Sequence, residues 1–384
     1  MKKDRIWKVT ISMVGVFMLV SLMYYANYDR PRYIITEESG TEYETARVRE
    51  IIEDNTVVDE ATEGILRGNM KMQVELLTGR YKGDVVKTIN YFGAVNNVNV
   101  GVGDTVSVRI DTIGKGIYEV NIYNYDRTWI IIGIVAVFFF TLILIGGIRG
   151  FKAVAGLMFT VLCIVFILVP LCLKGFSPVP VTCFIILITN IVCYVLIGGI
   201  QTKTVTACIG SVSGVLVAAI LAHIAEKLTG ITTFQMDEAE ALMLIKSTNP
   251  LKMRGLFISG ILIASMGAVM DISMSIASAL DEIHKHNPSL KTKKLFLSGM
   301  NIGRDAMGTM ANTLVLAFAG NSLNMMIMIY SYGVSFTQLI NTDFVSIEVI
   351  RAVAGSMGIV LTVPIIAAIC AGAYHNNNKL SRKD

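Results

Sequence analysis

Four polar residues interrupt long apolar runs in the second half of this 384-residue chain: Asp271, the neighbours Arg304 and Asp305, and Asn312. A carboxylate in hydrocarbon is costly, so such residues are rare and go with a partner, an ion pathway or a proton relay. Residues three or four apart share a helix face. Gly260, Ala264, Gly267, Asp271, Ser275, Ser278 and Glu282 therefore form one small and polar stripe, with Leu262, Ile263, Met266, Met270 and Ile276 opposite. Asn301, Asp305, Gly308, Asn312 and Ala319, with Thr309 alongside, form a second. Small residues let membrane helices approach closely, so the stripes are expected to be packing surfaces. In that reading the two helices run antiparallel and Asp271 faces Asn312 or Thr309 near the bilayer middle.

The chemistry open to this set is reversible binding of a proton or cation at Asp271. Ser275, Asn312 and Thr309 would orient the carboxylate, and Asn301, Arg304 and Asp305 would form a cytoplasmic gate. The alternative is a structural carboxylate, hydrogen-bonded to Asn312 and Ser275, that only locks two helices. Arg304 also reads as an ordinary positive anchor, and Asp305 as an acid at the positive end of a helix N-terminus. Other polar positions are weaker. Thr189-Asn190 and Gly210–Gly214 read as helix contacts, and Glu348 with Arg351 as an interfacial ion pair. His284-Lys285-His286 lacks partners to complete a metal site.

The elements that must carry these residues follow from composition. The chain is 53% hydrophobic and 16% charged, against about 25% charged in ordinary soluble chains. Several uncharged runs reach the roughly 20 residues needed to cross a hydrocarbon core. The fold class is therefore an α-helical polytopic membrane protein. The expected spans are an N-terminal one within 1–26, then Thr128–Ile148, Lys152–Leu171, Pro180–Gly199, Val205–Ala225, Leu256–Ala277, Asp305–Leu323 and Ile350–Tyr374, about eight in all. Leu323–Ile340 is a further apolar piece, spanning, re-entrant or surface-lying, set off by the Gly320-Asn321-Ser322 break.

Between the first two spans, residues 27–127 read as a small β-rich domain. MKMQVELLT, DVVKTINY, DTVSVRID and IYEVNIYN alternate or are rich in β-branched residues, and TARVREII is a weaker fifth strand. Five strands in so short a stretch imply a small barrel or sandwich, OB-like in kind. Residues 28–127 hold 17 acids and 12 bases, whereas the whole chain carries +4. An acidic soluble domain beside basic short loops fits an extracytoplasmic domain with a cytoplasmic N-terminus. Residues 128–375 are then the helical membrane domain and 376–384 a cytoplasmic tail.

The composition excludes several classes. No basic patch interleaved with aromatics points to nucleic acid. GxxxxGK[ST], HExxH and GxSxG are all absent, so no enzyme activity and no cofactor is expected. The six cysteines lie in or beside apolar segments without a CxxC pair, which argues against a disulfide framework or a zinc site. The bilayer is the expected partner, with a second membrane protein or a homo-oligomer open.

GAVMDISMSIASALDEI, then SGMNIGRDAMGTMANTLVLAFAGNSL and IRAVAGSMGIVLTVPIIAAI, resemble the YibE/F family of bacterial membrane proteins over about Thr128–Ala373. The resemblance implies the helical fold and a bacterial cytoplasmic-membrane location. It implies no activity. Asn324 stands where the resemblance leads one to expect a proline after GNSL.

Overall fold

The computed structural model describes residues 18–28, 40–62, 64–94, 96–114 and 117–380, the side chains of 113–114 and 376–380 excepted. The basic N-terminus, most of the first expected span and the end of the basic tail lie outside these residues; 18–27 is a helix, α1. The chain divides into two compact units, residues 32–141 and residues 1–31 with 142–384.

The first unit contains five strands: β1 Thr41–Asp59, β2 Ile65–Leu76, β3 Val85–Phe92, β4 Thr105–Gly114 and β5 Ile117–Tyr125. Their order is β3-β2-β1-β4-β5, antiparallel throughout. Period-two alternation buries one face: Met70, Met72, Val74 and Leu76 on β2, and Val106, Val108 and Ile110 on β4. β1 pairs with β4 through its first half and with β2 through most of its length, bending at two register shifts. The sheet curls until Thr88 Oγ1 of β3 donates to the Val120 carbonyl of β5 at 2.6 Å. The result is a half-barrel, as five short strands led one to expect. β1 is much longer than TARVREII.

The second unit is helical. A continuous apolar stretch, of which 128–141 belong to the first unit and 142–173 to the second, runs from Thr128 to Leu173: α2 Thr128–Cys163, a π-turn Ile164–Leu168, and α3 Val169–Leu173. It is not one rod. Gly147 has φ 54 and ψ −132, a pair that glycine alone adopts without strain. Gly150 is buried against the backbone of Leu142, eight residues away, which in a straight helix would lie about 12 Å off. The chain therefore doubles back at Gly147. Next come α4 Pro178–Gly198, α5 Thr202–Thr229, α6 Ala239–Thr248, α7 Leu256–His286, α8 Thr292–Asn321, α9 Leu323–Ser331, α10 Phe336–Ile340 and α11 Asp343–Leu380. Among the described residues, five helices are long and apolar enough to cross a membrane, or six if α8 and α9, bent by 58° at Ser322, make one span. The break expected at Gly320–Ser322 is where this bend falls.

The core is built from α5, α7, α8 and α11, and its contacts are close because glycines sit at the crossings. Side chains at Gly210 and Gly214 of α5 would collide with Ile366 and Thr362 of α11. At Gly299 and Gly303 of α8 they would meet Leu280 and Ile276 of α7, and Ala367 and Val363 of α11. All six cysteines are free thiols. Two expectations about boundaries are corrected. The basic connection is only residues 287–291, not a loop reaching Arg304, because α7 continues to His286 and α8 starts at Thr292. The last helix starts at Asp343, seven residues before Ile350, and carries Glu348 and Arg351 within it.

Candidate functional site

Asp271 is the central residue of α7, fifteen positions from each end, or about 22 Å along the axis. The face it occupies is not the expected one. Gly260, Ala264, Gly267, Asp271, Ser275 and Glu282 are all exposed, and a side chain at Gly260 or Gly267 would meet nothing within 4 Å. The packed face is the opposite one: Leu262, Met266, Val269, Ile272, Ser273, Ile276 and Leu280 are buried. The α8 stripe is turned outward too, with Asn301, Arg304, Asp305, Gly308, Thr309 and Asn312 exposed. The reading of both stripes as packing surfaces is therefore corrected. On α7 large apolar residues close the core, and the small residues of this stripe face away from it.

No hydrogen bond or ion pair joins Asp271 to Ser275, Asn312 or Thr309, or to any other of the described residues. Thr309 Oγ1 instead donates to the Ala306 carbonyl at 2.9 Å. Arg304 Nη1 donates to Asn301 Oδ1 at 3.3 Å. The antiparallel register is nevertheless fixed by Leu280 against Gly299 and Ile276 against Gly303. Carried five residues further, it sets Asp271 level with Gly308. Arg304 and Asn312 are then each about one turn away along the axis. Arg304 and Asp305 are not at a helix start, since α8 begins twelve residues before Arg304. Helix-end electrostatics therefore do not account for Asp305. Both charges stand well inside the helical segment, near the height of Asp271.

Behind Asp271 lies a buried polar layer. Thr189, Asn190 and Tyr194 of α4, Ser211 of α5 and Ser273 of α7 are all buried. Asn190 Nδ2 donates to Ser211 Oγ at 2.6 Å, and the Tyr194 hydroxyl donates to the Met270 carbonyl at 3.0 Å. Asn190 Oδ1 and Ser273 Oγ have no protein partner. Asn190 and Ser211 are helix contacts, as expected. Tyr194 was not anticipated. Its signal is a phenol within an apolar run, which needs a partner for its hydroxyl when buried. The bond it makes anchors α4 to the peptide immediately before Asp271.

A second carboxylate on α7 has the opposite character. Asp281 is buried and accepts from the Tyr374 hydroxyl at 2.9 Å and from Lys285 Nζ at 2.7 Å. His284 stacks on Tyr374 with ring centres 4.7 Å apart. Glu348 and Arg351 form the expected ion pair at 2.6 Å, partly buried rather than at a wet surface. Among the described residues, no three His, Cys, Asp or Glu come together as a metal site.

The profile of the YibE/F-like protein family matches residues 134–376. Neither a curated protein nor a solved structure matches the chain. The matched region carries Asp271, the buried polar layer and both outward stripes, together with the long apolar helices of the described residues, the first of them from residue 134 on. The chain belongs to the YibE/F-like family and is an integral membrane protein.

Proposed function

We propose that this protein is a proton- or cation-coupled membrane transporter or export factor in which Asp271 binds the coupling ion. The observation that carries the reading is a carboxylate halfway along an apolar helix with no partner among the described residues. A locking role needs hydrogen bonds to Asn312 and Ser275, and these are not made. An unpaired acid at that depth is costly unless it exchanges a proton or a cation. The glycines at 260, 267 and 308 leave room beside it. Arg304, one turn away, supplies a charge that would modulate ion occupancy at Asp271 rather than close a distant gate. Asn301 braces Arg304, and Asp305 and Thr309 share the outward face.

The orientation we propose has the N-terminus cytoplasmic, residues 27–127 extracytoplasmic and about eight spans. The reversal at Gly147 supports it, since 128–146 and 148–173 are each long enough to span. The test is proton or cation flux in proteoliposomes. Asp271→Asn is expected to abolish flux while the protein still inserts and elutes as wild type, with Asp271→Glu retaining part of it. Undiminished flux in the asparagine variant overturns the assignment.

A second reading is a non-transporting envelope assembly or signalling factor. The outward position of both polar stripes favours it, because a second membrane protein or another copy of this chain would cover them. A stoichiometric partner retained through mild detergent extraction, and lost in Asp271→Leu, would support this reading over transport.

A further inference from the structure

The helix α8 has two unlike faces. Gly299 and Gly303 are buried, and Met307, Met310 and Leu314 pack on the same core. Turned away from them are Asn301, Asp305, Gly308, Asn312 and Val315, all exposed. These five recur at steps of four, three, four and three residues. That alternation keeps one seam of a helix against a neighbour in a left-handed pair. Arg304, also exposed, borders the seam beside Asp305.

Ionised side chains within a membrane pair with one another or face protein or water. Asp305 makes no side-chain hydrogen bond or ion pair among the described residues. Arg304 meets a neutral amide, Asn301 Oδ1, rather than a carboxylate. Each charge therefore lacks a counter-charge within the described chain. The two stand one residue apart, about 1.5 Å along the axis.

The seam is complementary to itself. Copies of one membrane protein insert the same way round, so a two-fold axis along the bilayer normal sets each residue level with its own counterpart. Arg304 then meets the partner's Asp305 and Asp305 meets the partner's Arg304, the reciprocal exchange of an isologous interface. A different protein would need its own cation and anion at matching depths. Gly308 lets the two backbones approach, since even an added side chain there meets nothing within 4 Å. Asn312 reaches the partner's Asn312, and an amide both donates and accepts. A single asparagine in such a seam fixes register and the number of helices.

We infer that the protein is a dimer in which α8 packs in parallel on α8 of a second copy along residues 301–315, each Arg304 bound to the partner's Asp305. The inference rests on α8 crossing the bilayer, as proposed above. It holds with or without an ion at Asp271.

The test is oxidative cross-linking of the full chain in membranes with copper phenanthroline. The six native thiols, all buried or half-buried, set the background. Gly308→Cys and Asn312→Cys are expected to give a covalent dimer. Ala317→Cys, exposed but well round the helix from the seam, should give none above wild type. Added to Gly308→Cys, Arg304→Glu leaves only acids at the seam and Asp305→Arg only cations. Each should lower cross-linking by about tenfold or more, because like charges set face to face are strongly unfavourable. Co-expressing these two chains with different tags should restore it, as a heterodimer. No dimer above background at 308 and 312 overturns the inference, as does equal cross-linking at 317 or a cysteine at 308 that joins a different protein. Full cross-linking in a charge variant, or loss in both without rescue by the mixture, overturns the ion pair and with it the seam. Rapid labelling of the cysteine at 308 by a water-soluble maleimide would remove α8 from the hydrocarbon, overturning the proposed crossing along with the dimer. Should the charge variants fail to insert, the cysteine positions alone decide.

Discussion

Asp271 and Asp281 stand ten residues apart on one helix and are treated in opposite ways. Asp281 is on the packed face and is held by Tyr374 and Lys285. Asp271 is on the open face and is held by nothing among the described residues. A carboxylate whose acceptors are filled ties helices together, and its protonation is resisted by every donor aimed at it. One with empty acceptors contributes nothing to the fold and is free to take up and release an ion. On the function proposed above, the contrast separates a residue kept for structure from one kept for exchange, without appeal to any motif.

The comparison can be broken most decisively by flux. Asp271→Asn should lower ion flux by on the order of a hundredfold, whereas Asp281→Ala should leave flux per folded molecule near wild type. A variant pair with the two effects exchanged would invert the assignment. Stability gives the mirror image. Asp281→Ala strands the buried Tyr374 hydroxyl and should cost about 2 kcal/mol, read as a lower melting temperature in detergent, while Asp271→Asn should melt as wild type. Glycines sharpen the same contrast. Gly303→Val drives a side chain into Val363 and Ile276 and should cost about 1–3 kcal/mol. Gly267→Ala, on the open face, should be neutral or stabilise by about 0.5–1 kcal/mol. If Gly267→Ala is instead as damaging as Gly303→Val, the open face is covered by another chain.

The smallest effect lies in the β unit. Tyr118 stacks on Tyr81 at 4.0 Å and donates to Asp84 at 2.6 Å. Burial, then the hydrogen bond to Asp84, push its phenol up to about 12. A folded value above the unfolded value of about 10 means the folded state holds the proton more tightly. This contribution is complete below pH about 10 and is lost as pH rises towards 12. Alkaline titration of tyrosinate absorbance, wild type against Tyr118→Phe, should show one late-titrating phenol missing from the variant.

What the sequence made legible follows from where water is. In the β unit, alternation read Met70–Leu76 and Val106–Ile110 correctly because one face of the sheet meets water and the other does not. β1 was underestimated, since its second half, Ile52–Asp59, is acidic and largely exposed and carries no alternation. In the helical unit the long apolar helices and the break at Ser322 were legible from length and hydropathy, whereas five or six long apolar helices stand among the described residues against the about eight spans expected. The orientation of α7 was not. Lipid is as apolar as a side-chain core, so Leu262 or Ile276 is equally at home in either, and small residues occur on both faces. Ser259, Ser265 and Ser273 are buried while Ser275 is exposed, and residue type alone does not distinguish them. Asp271 could be singled out from the sequence, but its lack of partners could be learned only from the fold.

The reversal at Gly147 bears on how the protein is made. Insertion machinery reads apolar segments in turn, and each crossing flips the side on which the next loop is left. A residue that forbids Gly147's backbone angles, such as valine, would favour one uninterrupted helix from Thr128 to Leu173. On the proposed topology of about eight spans, fusing two crossings into one changes the count from even to odd. Every loop that follows, from residue 174 to the C-terminus, would then be delivered to the wrong compartment. On that topology, the parity of the membrane domain is stored at one glycine.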